Sequence, residues 1–306
     1  MKHIFYLPVL LFIFACSASN PQNDQKEQYV DSFEKAYKSG QWELALKYLD
    51  TLRLQKIDLN LLPVEAECYA GLGQYDKAIS LLENEIKVHT DTTQGIHYIY
   101  HTLGNVYYHK GDYKNALYKY KTAVQLRPSY ARPYIYIADI YQKLNEKDSC
   151  VFYYTTAIRL FAANKYFDEV IDFSNRIISV DSLNIDGYEF LYYGYHSKGM
   201  YKEAVTVGLK LDELLDPSKN LDKKHTNYLF TGVSAHWLGD YQLAYELINL
   251  SIQSQVVLDD YGWMAFCYLS AIQTKLGNNE LAKKYADYAL SIDSVKTQEY
   301  IKDLLK

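Results

Sequence analysis

Two histidines that could bind a metal ion, His97 and His101, stand four residues apart. On a helix this spacing places both imidazoles on one face, and two histidines placed in this way can ligate zinc. A zinc site also needs a third ligand and groups that orient the ligands. Because no His-Glu-x-x-His motif occurs, we interpret both histidines as surface or groove residues and expect neither a metal nor a cofactor.

Residues 232–236, Gly-Val-Ser-Ala-His, match a nucleophile elbow at three positions. The elbow requires glycine at the fifth position and lies on a turn from a strand to a helix. Here the fifth residue is His236, and the segment is predicted to lie inside a helix with Gly232 at a helix crossing. Residues 182–187 partly imitate a calcium loop, but Tyr193 stands where the bidentate acid is required. We therefore expect no catalytic residues and no enzymatic activity.

Tyrosine is abundant, with 33 residues in a chain of 306. Most of these tyrosines fall where predicted helices would pack against each other. Tyr98, Tyr108, Tyr136 and Tyr193 are candidates for lining a groove. Aromatic side chains with a polar hydroxyl suit the binding of peptides, and they also suit the binding of sugars.

A six-residue phrase, Gly-x-aromatic-x-x-Ala, recurs along the chain. It begins at Gly40, Gly73, Gly111, Gly199 and Gly239, and a degraded copy begins at Gly277. Self-similarity of this kind is typical of a solenoid, in which each unit cannot bury its apolar face alone.

Residues 97–130 show what surrounds the phrase. Apolar and small residues recur at helical spacing before and after Gly111, and Pro128 cannot continue the second helix. The stripe residues are Tyr100, Leu103, Gly104, Tyr107, Tyr113, Ala116, Tyr120 and Ala123. This pattern resembles the tetratricopeptide repeat, a hairpin of two helices. The resemblance implies an all-α fold, a right-handed α-solenoid of about seven to eight such hairpins.

Further copies follow at residues 131–164, 185–218, 225–258 and 263–296. Residues 131–184 are interpreted as three helices with one incomplete hairpin, and Asn145 replaces the turn glycine because asparagine tolerates left-handed backbone angles. The longer intervals between copies predict extra residues in second helices or in loops, around residues 87–94, 215–225 and 255–261.

The N-terminal segment, residues 1–15, is interpreted as a signal peptide. A basic start is followed by an apolar run over residues 4–15, which is shorter than the ~20 residues that span a bilayer. The run ends in Ile13-Phe14-Ala15-Cys16, which resembles the lipobox of bacterial lipoproteins. The resemblance implies cleavage before Cys16 and attachment of acyl chains such as palmitate to this residue; a plain secretory signal or an uncleaved anchor are the alternatives.

The net charge of the chain limits the kinds of partner that it can bind. Of 32 basic residues, removal of Lys2 with the signal leaves 31 against 37 acidic residues, a net charge of −6. This charge opposes nonspecific binding to nucleic acid or anionic lipid, and no nucleic-acid partner is expected. The cysteines beyond Cys16 are Cys68, Cys150 and Cys267, which we expect to be buried in the core because free cysteine behaves as a small hydrophobe.

The tetratricopeptide resemblance also implies candidate site residues. In that family the first helix of each hairpin lines the concave surface, chiefly at its second, fifth, ninth and twelfth residues. Carried onto this chain, the partner-binding positions are Tyr98, His101, Asn105, Tyr108, Arg132, Ile135, Asp139, Gln142, Asp186, Glu189, Tyr193 and His196. Asn105 and Arg132 match two parts of a clamp for peptide carboxylates, but His101 replaces a lysine and the other parts are missing.

These observations predict three segments: a lipoprotein signal peptide over residues 1–15, a flexible tether over 16–28, and a solenoid over 29–306 that ends in a capping helix at 298–306. The predicted function is a lipid-anchored scaffold of the bacterial cell envelope, at the outer membrane and facing the periplasm or the surface, that binds a protein or peptide in its concave groove. The alternative is a lipoprotein that binds glycans or assists their uptake.

Overall fold

The computed structural model describes residues 21–54, 61–88 and 95–304, with side chains from residue 28 to residue 300 and at Leu304. The described residues are almost entirely helical and contain no strand. Their sixteen helices are α1 (Pro21–Lys38), α2 (Trp42–Leu54), α3 (Leu62–Gly71), α4 (Tyr75–Val88), α5 (Ile96–Lys110), α6 (Tyr113–Leu126), α7 (Ala131–Lys143), α8 (Lys147–Ala163), α9 (Phe167–Val180), α10 (Ile185–Ser197), α11 (Tyr201–Leu214), α12 (Pro217–Leu238), α13 (Tyr241–Ser251), α14 (Gln255–Lys275), α15 (Asn279–Ile292) and α16 (Ser294–Leu304).

The chain forms two compact units, the first ending at Ile140 and the second beginning at Tyr141. Within each unit, helices contact the next one or two helices along the chain. This neighbour-to-neighbour packing is the property of a solenoid, and the predicted class, an all-α solenoid of helical hairpins, is confirmed. The sequence predicts one continuous domain over residues 29–306, whereas the structure groups these residues into two units.

The hairpin of α5 and α6 explains why the recurring phrase folds as it does. Gly111 has φ of +83°, a left-handed angle that glycine adopts without a steric penalty. Asp112 caps α6 by accepting a hydrogen bond from the Asn115 amide at 3.1 Å. Gly104 lies against the Tyr120 ring, so closely that an added Cβ would lie 2.6 Å from two of its carbons. The predicted close crossing of the two helices is confirmed.

Two residues that are not glycine also have left-handed backbone angles. Asn145 has φ of 59°, as predicted for the residue that replaces the turn glycine, and Lys165 has φ of 61°. Lys165 joins α8 to α9, and these two helices pack together as a hairpin. Residues 131–184 therefore form three helices, as predicted, and α8 is the first helix of its pair with α9.

Two helices begin earlier than the repeat frame requires. Asp216 accepts a hydrogen bond from the Ser218 amide at 2.9 Å, and Pro217 occupies the first position of α12. Helix α14 begins at Gln255. Helix α12 is interrupted at Asn220, whose φ of −129° is not helical, so residues 217–219 form a separate helical turn and residues 221–225 extend the first helix. The extra residues at 255–261 also extend a first helix, so the prediction that such residues lengthen second helices or loops is wrong for 221–225 and 255–261; residues 89–94 of the third insertion lie outside the described residues.

At both ends of the described chain, the helices begin earlier than the sequence predicts. Helix α1 begins at Pro21, so residues 21–28 of the predicted flexible tether are helical; proline suits the first position of a helix because its φ is already fixed at a helical value. The signal peptide, Cys16 and residues 17–20 lie outside the described residues. Helix α16 begins at Ser294, ahead of the predicted residue 298, and packs on α14 and α15.

The cores are apolar, and the three cysteines beyond Cys16 lie in them. In the first unit the fully buried side chains include Phe33, Leu49, Leu82 and Leu103; in the second, Tyr154, Ile177 and Ile272 are among them. Cys68, Cys150 and Cys267 are buried, which confirms the prediction. Burial raises the pKa of the Cys68 thiol to about 12 and that of Cys267 to about 11.

Candidate functional site

The predicted site residues of α5 share one face of that helix but differ in exposure. His101 and Asn105 are buried, at 8% and 3% exposure, whereas Tyr98 and Tyr108 are partly buried. Residues three to four apart on a helix lie on the same side. This face therefore offers two tyrosine rings at its surface with polar side chains beneath them.

The structure adds Glu67 of α3 and Tyr37 of α1 to this face. The Tyr37 hydroxyl donates a hydrogen bond to the Glu67 carboxylate. The Asn105 amide nitrogen donates to Glu67 Oε1 at 3.4 Å, and its amide oxygen accepts from the Tyr120 hydroxyl at 2.8 Å. Both ends of the Asn105 amide are thus engaged within the protein. We call Tyr37, Glu67, His101, Asn105, Tyr120, Tyr130 and Tyr136 the Glu67 cluster.

His101 is enclosed by aromatic rings. Its Nδ1 lies 3.0 Å from the Tyr130 hydroxyl, and its ring centroid lies 5.2, 5.6 and 5.8 Å from those of Tyr130, Tyr136 and Tyr120. Its Nε2 is buried without a hydrogen-bond partner. Burial, Arg132 and His97 together lower the pKa of His101 to about 3. The imidazole is therefore neutral at pH 7, unlike the lysine it replaces in the clamp.

The pKa of Glu67 is shifted in the opposite direction, upwards. Burial raises the pKa of its carboxyl group to about 7, although the hydrogen bonds from Tyr37 and Asn105 and the charge of Arg132 each favour the ionised form. The residue keeps a partly exposed surface, which opens onto a cavity. The group therefore exchanges its proton near neutral pH.

The cavity at Glu67 has a volume of about 190 Å³. It lies among α3, the start of α4 and α5, and its lining includes Glu67, Tyr75, Asn105, Val106 and His109. Ala70 and Gly71 contribute a wall of small residues. The cavity combines one carboxylate with apolar and aromatic surface, the composition typical of sites that bind a small group through one polar contact.

The predicted residues of α7 within the first unit, Arg132, Ile135 and Asp139, are all partly buried. Their neighbour Tyr136 stacks on Tyr120 with ring centroids 5.2 Å apart and planes 9° apart. Burial and the charge of Glu67 raise the pKa of Tyr136 to about 12. Helices α5 and α7 therefore bring the two predicted sets of first-helix residues together around one aromatic stack.

Gln142 and the residues of α10 lie in the second unit. Gln142 is exposed and Asp186 is partly buried. Glu189 forms an ion pair with Lys223 at 3.1 Å. Tyr193 is 43% exposed and packs edge-on against Phe167 at 5.7 Å. These residues are accessible, but the structure does not gather them into one pocket.

His196, the last predicted residue of α10, belongs to a polar cluster around the buried Ser234 of α12. Its Nδ1 lies 2.8 Å from Ser234 Oγ, and the Tyr192 hydroxyl lies 2.7 Å from the same oxygen. The serine hydroxyl also donates to the Phe230 carbonyl at 3.3 Å. We call Tyr192, His196 and Ser234 the Ser234 cluster. A serine beside a histidine is the start of a nucleophilic site, but Ser234 lies inside a helix, α12, and is fully buried.

The histidines considered as zinc ligands have other neighbours. His97 Nε2 lies 3.3 Å from the Arg127 guanidinium, and His101 lies among tyrosines. Among the residues that the structure describes, no three histidine, cysteine, aspartate or glutamate side chains are grouped closely enough to hold a metal ion. In the same residues no helix is long and apolar enough to cross a bilayer.

Sequence reasoning missed Glu67 and Tyr37, although a signal for them existed. When the repeat frame is extended to Gly73 and Gly40, Glu67 is the ninth and Tyr37 the twelfth residue of its first helix. The same ninth position holds Asn105 in the next repeat. What the frame does not reveal is that the Glu67 carboxylate and the Asn105 amide bond to each other.

Comparisons with known proteins agree with the repeat. Residues 104–145 match a family model described as TPR repeat, and residues 131–164 match one described as tetratricopeptide repeat. The chain therefore carries tetratricopeptide repeats over residues 104–164.

A curated relative is the DnaJ homolog subfamily C member 3 of Gallus gallus, which is 26% identical over an alignment of 122 residues, with 35% of this chain and 24% of the relative covered. The chain thus matches about a quarter of that protein's length.

Among solved structures, the chain is similar to YrrB, described as a TPR protein with an unusual peptide-binding site, at 16% identity with 72% of this chain and 97% of that chain covered and a TM-score of 0.43. It is also similar to a tetratricopeptide repeat protein from Parabacteroides merdae, at 14% identity with 92% and 100% coverage and a TM-score of 0.35. The Cut9-Hcn1 structure gives 13% identity, coverage of 94% of this chain and 57% of that chain, and a TM-score of 0.41.

Proposed function

We propose that this protein is an interaction scaffold that binds a partner polypeptide through the first-helix face of its repeats. The observation that carries the proposal is the Glu67 cluster, where polar groups of α1, α3 and α5 are held beneath partly exposed tyrosines. Rigid aromatic side chains with a polar tip provide contact area at a low cost in conformational entropy. Tetratricopeptide hairpins hold such a face in place because each helix packs on its neighbours.

Site-specific photocrosslinking tests this proposal. A photoreactive phenylalanine replaces Tyr98, on the first-helix face, or Tyr118, which is 64% exposed on the second helix α6. We expect the variant at position 98 to form discrete crosslinked bands with envelope polypeptides, and the variant at position 118 to form none of the same bands. Equal crosslinking at both positions, or none at position 98, would contradict a binding role for this face.

The lipid anchor is a second part of the proposal and depends on the lipobox at Cys16. Several acyl chains on one residue suffice for stable membrane attachment, at ~0.8 kcal/mol per buried methylene group. We expect Cys16→Ala to move the protein out of the membrane fraction and to abolish labelling by an alkyne analogue of palmitate, with Ser17→Ala as the matched control. Membrane partitioning that is unchanged in Cys16→Ala would refute lipidation.

The location proposed for the anchored chain is the outer membrane of a bacterial envelope. Protease treatment of intact cells distinguishes the two orientations: a surface protein is digested, whereas a periplasmic protein is digested only after the outer membrane is opened. Recovery in the inner-membrane fraction would contradict the proposal.

Glycan binding is a second candidate function, favoured by Trp237. This side chain is 46% exposed, stacks on Tyr201 with centroids 6.2 Å apart, and donates its indole N–H to the Tyr268 hydroxyl at 3.0 Å. The hydrogen bond fixes the ring in a position where its outer face can pack on a sugar. A glycan array probed with the native chain and with Trp237→Ala tests this; loss of a signal in Trp237→Ala but not in Phe152→Ala, a control that is 63% exposed, supports it, and an array without signal excludes it.

A further inference from the structure

We propose that the cavity at Glu67 receives the cationic side chain of a lysine or arginine of the partner polypeptide. The inference rests on the proposed binding function and specifies its chemistry. It follows from three features of the described residues: the charge at the cavity, the shape of its walls, and the engagement of the groups that would otherwise bind an anion.

The charge at the cavity is a carboxylate held by neutral donors. Tyr37 and Asn105 hydrogen-bond to Glu67, but among the described side chains no lysine, arginine or histidine nitrogen lies within 4 Å of it. Arg53 pairs with Glu65, which lies on the same helix as Glu67, and not with Glu67. A largely desolvated carboxylate that is hydrogen-bonded only to neutral donors keeps an unfavourable desolvation free energy, which an incoming cation would offset.

Besides burial, the groups that shift the pKa of Glu67 are the Tyr37 hydroxyl of α1, the Asn105 amide of α5 and the charge of Arg132 of α7. The other titratable groups around it are Cys68 of α3, Tyr75 of α4, His101 and His109 of α5, Tyr120 of α6, Tyr130 just before α7, and Tyr136 of α7. Arg132 is the cation among the groups that shift this pKa, and its effect on Glu67 is the smallest of the four, burial included. The site is therefore negative and incompletely neutralised when Glu67 is ionised.

The walls of the cavity suit a basic side chain with an aliphatic stem. Ala70, Gly71 and Val106 present small apolar surfaces, and Tyr75 and His109 present aromatic ones. Lysine and arginine pack their methylene groups along apolar surface while the charged end reaches a polar group. Aromatic faces add attraction for a cation. A volume of about 190 Å³ leaves room for one such side chain.

The same geometry disfavours a peptide carboxylate. The Asn105 amide, which could donate to a carboxylate, already donates to Glu67, and His101 is neutral because burial lowers the pKa of its imidazole. An added carboxylate at this place would stand beside Glu67 and be repelled. The internal carboxylate therefore reverses the charge preference that Asn105 and Arg132 suggest by themselves.

Binding of a cation must depend on pH, because only ionised Glu67 attracts it. With a pKa of about 7, the ionised fraction rises about tenfold between pH 6 and pH 8. The affinity for a cationic probe is expected to rise by the same factor and to level off above pH 8. In Glu67→Gln this rise is absent.

The test uses the full chain and a phage-displayed library of random peptides. The native chain is compared with Glu67→Gln and with the control Glu65→Gln, which removes the same charge two residues away on α3. We expect peptides selected by the native chain and by Glu65→Gln to be enriched at least threefold in lysine or arginine at one position, and this enrichment to be lost in Glu67→Gln. Circular dichroism confirms that all three proteins are folded.

The outcomes separate the two proposals. Selected peptides without a basic preference, or with one that survives in Glu67→Gln, overturn the cationic site while leaving the binding function intact. Failure to select any peptide overturns both. As a second measurement, n-butylammonium is titrated while the methyl resonances of Val106 and Ala70 are followed by NMR; shifts that are absent in Glu67→Gln support the site, and equal shifts in both proteins overturn it.

Discussion

Replacement of Gly104 by alanine tests the close crossing of α5 and α6. The added Cβ would lie 2.6 Å from two carbons of the Tyr120 ring, and Tyr120 is fully buried. The ring cannot move without consequence, because it stacks on Tyr136 at 5.2 Å and its hydroxyl donates to Asn105 at 2.8 Å. The substitution therefore forces either the helices apart or the ring out of its cluster.

The magnitude follows from three contributions. Overpacking of a dense core costs about 1–3 kcal/mol. Displacement of the Tyr120 hydroxyl from Asn105 costs about 1 kcal/mol more. Alanine is a better helix former than glycine, and this difference offsets about 1 kcal/mol of the destabilisation. The expected net effect is a destabilisation of the α5–α6 hairpin by about 1–3 kcal/mol.

Gly262→Ala is the matched control. Gly262 also lies inside a helix, α14, but its added Cβ would approach no atom closer than 3.4 Å, the distance to Ile292 Cδ1. Only the helix-propensity gain then remains, and we expect stabilisation by up to about 1 kcal/mol.

Native-state hydrogen exchange resolved by peptide is the suitable assay, because repeat proteins do not unfold in one cooperative step. The amides of α5 and α6 should exchange faster in Gly104→Ala, and those of α14 should exchange no faster in Gly262→Ala. If both variants slowed exchange equally, helix propensity would outweigh the crossing and the packing argument would fail.

Three further predictions concern other parts of the chain. Lys165→Gly should stabilise the turn between α8 and α9 by about 1 kcal/mol, since lysine is held at φ of 61°. Asn145→Gly should gain less because asparagine tolerates this angle, and an equal slowing of hydrogen exchange at the two turns would contradict the reasoning. Ser234→Ala should destabilise the second unit by about 1–2 kcal/mol because it removes the hydroxyl that bonds to the partly buried His196 and Tyr192; unchanged hydrogen exchange in α10 and α12 would contradict this. The pKa of Glu67 is about 7 in the folded chain against 4.5 for an unperturbed glutamate, so the folded state binds the proton more tightly. The resulting contribution to the free energy of unfolding, at most about 3 kcal/mol, is present below pH 4.5 and is lost as the pH rises to 7. Glu67→Gln should therefore lose less stability than the native chain over this range, and a native chain that loses no more stability than Glu67→Gln would refute the reasoning.

The hairpins could be predicted from the sequence because their causes are local. Gly111 marks a left-handed turn, and Gly104 and Ala116 mark the helix crossing through residue size alone. Lys165 could not be predicted in this way, because nothing in its side chain indicates a left-handed backbone angle. The packing of α8 on α9 holds the residue at that angle. The extensions of the first helices over residues 221–225 and 255–261 were likewise not predicted, because a repeat frame gives the spacing of the repeats but does not show which helix an insertion lengthens.

The candidate site shows what a repeat frame leaves open. The frame placed His101 and Asn105 on one face of α5, and in the structure both side chains belong to the Glu67 cluster. It did not foresee that Glu67, 38 residues before Asn105, would supply a carboxylate at the same place. Nor did it pair His196 with Ser234, which are also 38 residues apart.

The sequence by itself determined that this chain is a series of helical hairpins, because turn residues and the period of apolar positions act over a few residues at a time. Only the tertiary structure decided which polar groups share a buried space, and therefore that Glu67 takes up its proton near pH 7 whereas His101 stays neutral. The physical reason is that desolvation and hydrogen bonding depend on all the atoms around a group, and most of those atoms belong to helices that are distant in sequence.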